Sequence, residues 1–157
     1  MRSLGVVTYL CRDYDEAAGW FTSKLGFRVV QDVDQGADLR WLVVSPDSGP
    51  AGGTTSFGAS LLLAQAGSPE QQARVGNQAG DRVGFILSTS DFAADHAAFT
   101  QRGVEFLELP RVELYGTVAV FRDLYGNTWD LIERSPPQSP KPAASASVKG
   151  NEESTKQ

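Results

Sequence analysis

The same run of elements occurs twice along this chain. Residues 5–11 (GVVTYLC) are apolar and β-branched, the pattern of a buried strand. Asp13, with Glu16 three residues later, has the spacing of a helix N-cap and its capping box. Ala17, Trp20, Phe21 and Leu25 then fall on one helical face, and Gly26 supplies the stop. Strands are predicted over 27–32, 39–45 and 59–65, with a Gly/Pro/Ser loop over 46–58. The second half begins the series again. It has a strand over 83–88, Asp91 as a helix start, a helix over 92–102 stopped by Gly103, and strands over 104–107, 116–122 and 128–133. Between the halves, Ser68-Pro69-Glu70 reads as the start of a short helix with Pro at its first position. The Gly-rich stretch 76–80 lacks a Lys-Ser/Thr pair and does not lead from strand to helix, so it reads as a connection and not as a phosphate cradle.

Residue matches support the repeat. A shift of 78 places Asp13 on Asp91, Tyr14 on Phe92, Phe21 on Phe99 and Thr22 on Thr100. A shift of 77 places Gly26 on Gly103, Val43 on Val120 and Val44 on Phe121. The chain therefore reads as α+β, with two tandem βαβββ modules over 4–66 and 82–134 joined by a connection over 67–81. A βαβββ unit covers one face of its sheet with its helix and leaves the other open. Two such sheets can curve into a half-open eight-stranded barrel with helices outside and a cleft inside, which is a default ligand site.

Composition bounds the rest. Residues 135–157 hold four of the eight prolines, five serines and no aromatic residue. Such a segment cannot bury enough apolar surface to offset its ordering entropy, so it is expected to be a disordered tail on a single domain over 1–134. That domain carries ten Arg, one Lys and 17 acidic residues, with no basic stripe, which argues against a nucleic-acid partner. No apolar run approaches the ~18 residues of a membrane span, and no secretory segment is read at the start. Cys11 is the lone cysteine and His96 the lone histidine. A cytoplasmic protein without disulfides is expected, and a multi-His metal site within one chain is excluded. His96 lies four after Phe92 and three before Phe99, the spacing of a packing residue. Cys11 and Trp129 alternate with the inward residues of their strands and belong under helices.

The motifs resemble those of the vicinal oxygen chelate superfamily, which includes glyoxalase I, extradiol dioxygenases, methylmalonyl-CoA epimerase and the fosfomycin- and bleomycin-resistance proteins. They are Arg12-Asp13-Tyr14-Asp15-Glu16-Ala17, Trp20-Phe21, Lys24-Leu25-Gly26-Phe27, Ser90-Asp91-Phe92, Arg102-Gly103-Val104, Tyr115-Gly116 and Asp123-Leu124-Tyr125-Gly126-Asn127-Thr128-Trp129-Asp130-Leu131. The resemblance implies a metal held at four matched positions, two per module, usually by His, Gln or Glu. Here those positions are Val6, Leu62, Gly84 and Asp130, and only Asp130 can donate an oxygen. One carboxylate with waters holds a divalent ion weakly. No cofactor is therefore expected, and a divalent metal would need off-position ligands such as Gln65 or Glu133, or a site completed across a dimer.

Asp130 should point inward with Thr128 and Ile132, either paired to an arginine or free to meet a ligand amine or hydroxyl or act as a base. Arg40 and Arg122 are its candidate partners, and Thr8 and Tyr115 complete the candidate ligand-binding set. Two functions compete. The first is a metal-free small-molecule binder of the bleomycin-resistance type, sequestering a cationic or aromatic ligand. The second is an enzyme, a lactoylglutathione lyase-like or dioxygenase-like relative with a metal not yet placed and Asp130 as the best catalytic candidate. The resemblance also implies a homodimer.

Overall fold

The computed structural model describes residues 2–46 and 58–136. The interior of the 46–58 loop and all but the first two residues of the expected 135–157 tail lie outside that set. The Asp13 carboxylate caps the first helix by accepting from the Glu16 N–H at 2.8 Å, and Gly26 ends it in the left-handed region at φ 72°. Asp91 caps its counterpart in the same way, through Ala94 N–H at 2.9 Å. The order of elements is β1 (Val6–Cys11), α1 (Tyr14–Leu25), β2 (Arg28–Gly36), β3 (Leu39–Ser45), β4 (Ser60–Gln65), α2 (Pro69–Arg74), β5 (Phe85–Ser88), α3 (Phe92–Gln101), β6 (Glu105–Phe106), β7 (Arg111–Glu113), β8 (Gly116–Arg122) and β9 (Thr128–Arg134). Among the described residues, no helix is long and apolar enough to cross a membrane.

The strands form two mixed sheets. The first runs β1-β4-β3-β2, the second β5-β9-β8-β6 with β7 also on β8. In each sheet the first strand of the unit lies parallel to the last, β1 on β4 and β5 on β9, and the other pairs are antiparallel. The fold is thus α+β with a repeated unit.

Two strands differ from expectation. β2 continues to Gly36, because a two-residue turn at Ala37-Asp38 returns it along β3. The strand expected over 104–107 shortens to β6, and a separate short strand, β7, follows it. Pro110 has no N–H to give, and the Glu108 carboxylate, not a backbone carbonyl, takes the Val120 N–H at 3.0 Å. The strand at 111–113 was not anticipated from the sequence.

One core unites both sheets on their helix-covered sides. Tyr9, Phe21 and Phe27 from the first half meet Phe85 and Trp129 from the second, with ring centroids 4.5–6.4 Å apart. His96 stacks on Phe92, one of the two residues its spacing pointed to, and its other ring contact is Phe106, which the spacing did not indicate. Cys11 is fully buried, and burial pushes its thiol up to about 12, so it is an inert core residue. A local twofold is visible where the helices end. Lys24 Nζ donates to the Arg102 carbonyl and Arg102 Nη1 donates back to the Lys24 carbonyl. These residues stand 78 apart, the offset of the repeat.

The Asp123 carboxylate fastens the halves together. Its Oδ1 accepts the N–H groups of Tyr125, Gly126 and Asn127, each at 3.0 Å. Its Oδ2 accepts from Tyr9 Oη at 2.8 Å, Trp129 Nε1 at 2.9 Å and Asn127 Nδ2 at 3.1 Å. The connection adds Gln78, whose amide bonds both the Leu10 N–H and the Thr8 carbonyl on the edge of β1. Its own N–H donates to Asn127 Oδ1.

Candidate functional site

Alternation along β9 sends Trp129 and Leu131 into the core and Asp130 to the opposite, open face. Register places Asp130 between Ile86 of β5 and Val120 of β8. Ile86 is 59% exposed, so this part of the face is apolar and uncovered. Asp130 Oδ1 is buried, yet it has no hydrogen-bond partner among the described residues. Burial raises the Asp130 carboxyl above the ordinary carboxylate range; the Arg111 charge opposes this and Glu108 adds to it.

Arg111 lies close enough to act on Asp130 through its field, but its guanidinium is engaged elsewhere. Its Nε reaches Glu108 Oε1 at 3.1 Å, and its Nη1 reaches Glu113 Oε1 at 2.6 Å and Tyr115 Oη at 3.4 Å. The open face of the second sheet therefore sets three carboxylates against one guanidinium around Asp130.

The first sheet presents a different surface. By register, the open side of β1, β4 and β3 carries Val6, Thr8 and Leu10, then Ser60, Leu62 and Ala64, then Leu39, Trp41 and Val43. None of these is charged. Trp41 is 36% exposed and is steadied by its Nε1–H bond to Gln31 Oε1 at 2.9 Å.

The structure brings some expected site residues together and separates others. Tyr115, in the turn before β8, joins Asp130 through their shared neighbour Arg111. Thr8 lies on the open face beside Leu62. Arg40 does not pair with Asp130. It sits on the helix side of β3, bonded to Asp15 at 2.7 Å and to Asp32 at 2.7 and 3.1 Å, with its guanidinium 5.4 Å from the Tyr14 ring centroid. The alternation that exposes Trp41 turns its neighbour Arg40 the other way. Arg122 is taken by Glu105 at 3.2 Å and is likewise not the partner of Asp130. Arg111, Glu108 and Glu113 were missed from the sequence. The alternating charges of Arg111 and Glu113, directly before Tyr115-Gly116, were the available signal.

A family model described as the Glyoxalase/Bleomycin resistance protein/Dioxygenase superfamily matches residues 3–131. The chain belongs to that superfamily. An uncharacterised protein of Shewanella frigidimarina is 44% identical over 133 residues, covering 84% of this chain and 93% of the relative. Among solved structures, UcmS2 is 33% identical with a TM-score of 0.68, covering 84% of this chain and 98% of its own. TnmS3, an antibiotic binding protein from Streptomyces sp. CB03234, is 27% identical with a TM-score of 0.67, covering 86% and 98%.

The donors present do not fit the superfamily's usual divalent ion. Val6 on β1, Leu62 on β4 and Gly84 before β5 offer no ligand atom, which leaves Asp130. The off-position candidates face the wrong way. Glu133 Oε2 accepts the Phe92 N–H at the start of α3, and Gln65 is paired with the core residue Cys11. Among the described residues, no three His, Cys, Asp or Glu side chains cluster as metal ligands do.

Proposed function

We propose that this protein is a cytoplasmic small-molecule binder that works without the superfamily's usual metal, holding a cationic or aromatic ligand on the open faces of its sheets. One observation carries the reading. Of the four matched positions, only Asp130 bears a donor, and its Oδ1 is a buried acceptor with no hydrogen-bond partner among the described residues, on the same open face as the exposed Ile86. The likeness to TnmS3 supports a binding role. The two halves of the chain meet through their helix-covered sides, and Ile86 on one open face and Trp41 and Val6 on the other stay exposed. A homodimer in which a second copy covers these faces would complete the half-open barrel and its cleft, and Thr8, Tyr115 and Asp130 would line it.

The test is binding of the neutral dye Nile red to protein purified and assayed in chelator. Saturable binding, unchanged by chelator and lost in Ile86→Arg, is the expected result. Stoichiometric, tightly held Ni, Mn, Fe or Zn, together with turnover of an α-ketoaldehyde–thiol adduct, would replace this reading with the enzymatic one.

A further inference from the structure

We infer that residues 107–115, the arm that carries β7, dock on a second copy of this chain: the arm of each copy seats on the open face of the other copy's first sheet. The inference rests on the homodimer in the reading above and names the surfaces that form it.

The repeat supplies an internal comparison. The offset of 77 carries β3 onto β8, and the cross-strand pairs Arg28–Ser45 and Val29–Val44 onto Glu105–Arg122 and Phe106–Phe121. At the far end of the hairpin it carries Gly36–Leu39 onto Glu113–Gly116. The two hairpins thus hold the same place in their halves, but their outer residues differ in kind. Asp32, Gln35, Ala37 and Asp38 in the first half correspond to Leu109, Val112, Leu114 and Tyr115 in the second. The first four are exposed polar or small residues. Leu109, Val112 and Leu114 are 85–88% exposed, and Tyr115 is half exposed. The fold therefore does not ask for apolar residues at these positions, and water penalises them there. With Leu107, the arm shows on the order of 600 Å² of side chain, near the ~800 Å² that each partner of a standard interface buries.

Two observations select a second copy as the occupant, and the first sheet as the place it offers. One is apolarity. The open side of β1, β4 and β3 carries no charged residue, and Val6, Leu39 and Trp41 on it are 36–56% exposed. A chain that exposes both an apolar arm and an apolar face can bury both at once by a twofold exchange, in which arm meets face twice. The other is charge. Glu108 and Glu113 outnumber Arg111 on the arm, leaving one negative charge in excess. Register puts Arg28 of β2 on the open side of the first sheet, with no ion-pair partner among the described residues. Arm on face pairs these opposite charges, whereas arm on arm would set two like charges together.

Light scattering on the full chain over a dilution series tests the contact. Leu114→Asp is expected to raise the dimer dissociation constant about a hundredfold or more, since the twofold uses the position twice, and Leu114→Met should stay within about threefold of the parent. Both variants should keep the parent's circular dichroism, because the side chain is exposed. Cross-linking with a short bis-maleimide tests where the arm lands, and the lone native Cys11 is fully buried and silent. Leu114→Cys chains mixed with Leu39→Cys chains should cross-link, and Leu114→Cys chains alone should not. A dimer that survives Leu114→Asp, or self-cross-linking of Leu114→Cys with none in the mixture, would overturn this inference and leave the homodimer standing. A monomeric parent would remove the homodimer as well, and saturable Nile red binding to that monomer would keep the small-molecule reading.

Discussion

Two aspartates seven residues apart in the same motif do opposite work, and burial separates their roles. Asp123 has six donors around its two oxygens, whereas Asp130 Oδ1 has none. Asp123→Ala would orphan buried donors from both halves of the chain at once. We expect it to cost on the order of 4 kcal/mol in urea unfolding, and a cost below about 1 kcal/mol would contradict the role given to Asp123 here. Asp130 should behave in the reverse sense. Its folded pKa is raised, so the folded state holds its proton to higher pH than the unfolded chain does, and stability falls as pH rises through that interval. Asp130→Asn is therefore expected to stabilise the protein at neutral pH, seen as a higher urea midpoint. That gain should vanish at pH values below the ordinary carboxylate range.

At the level of elements, the turns carry the strain and the close approaches. The β2–β3 turn places Ala37 and Asp38 at φ 51° and 62°, where only glycine sits without steric cost. Asp38→Gly is expected to raise stability by roughly 0.5 kcal/mol, less the extra entropy that glycine gives the unfolded chain. Gly76 is constrained in the opposite way. A Cβ there would lie 1.9 Å from the Tyr125 carbonyl oxygen, and φ is 76°. Gly76→Ala should cost on the order of 3 kcal/mol, since backbone and not a mobile side chain must yield. Thermal denaturation of the two variants should thus move in opposite directions from the parent. The sequence marked 76–80 as a connection. It did not show that this segment packs against the Asp123 turn, because that contact joins residues about 50 positions apart in the chain.

At the level of the whole molecule, the open faces make oligomeric state and binding one question. Light scattering should give a mass about twice the 16.9 kDa chain mass, and Nile red affinity should fall on dilution below the dimer dissociation constant. Full affinity in a strictly monomeric solution would remove the second copy from the site. The repeat, the helix starts at Asp13 and Asp91, and the inward phase of Asp130 were all legible in the sequence. Each follows from a local period, a cap spacing or strand alternation, which act over a few residues. The loss of ligand atoms at Val6, Leu62 and Gly84 was legible for the same reason, since it depends on residue identity at positions set by motif spacing. Tertiary structure alone settled which arginine stands near Asp130. Arg40, Arg111 and Arg122 are equally basic on paper, and the choice depends on which face each strand turns outward and which acids are already within reach. Arg40 found Asp15 and Asp32, Arg122 found Glu105, and Arg111 was left beside Asp130 with its donors held by Glu108 and Glu113. Ion pairing in a folded chain is a competition among neighbours brought together by long-range strand pairing, and those neighbours exist only once the sheets have formed.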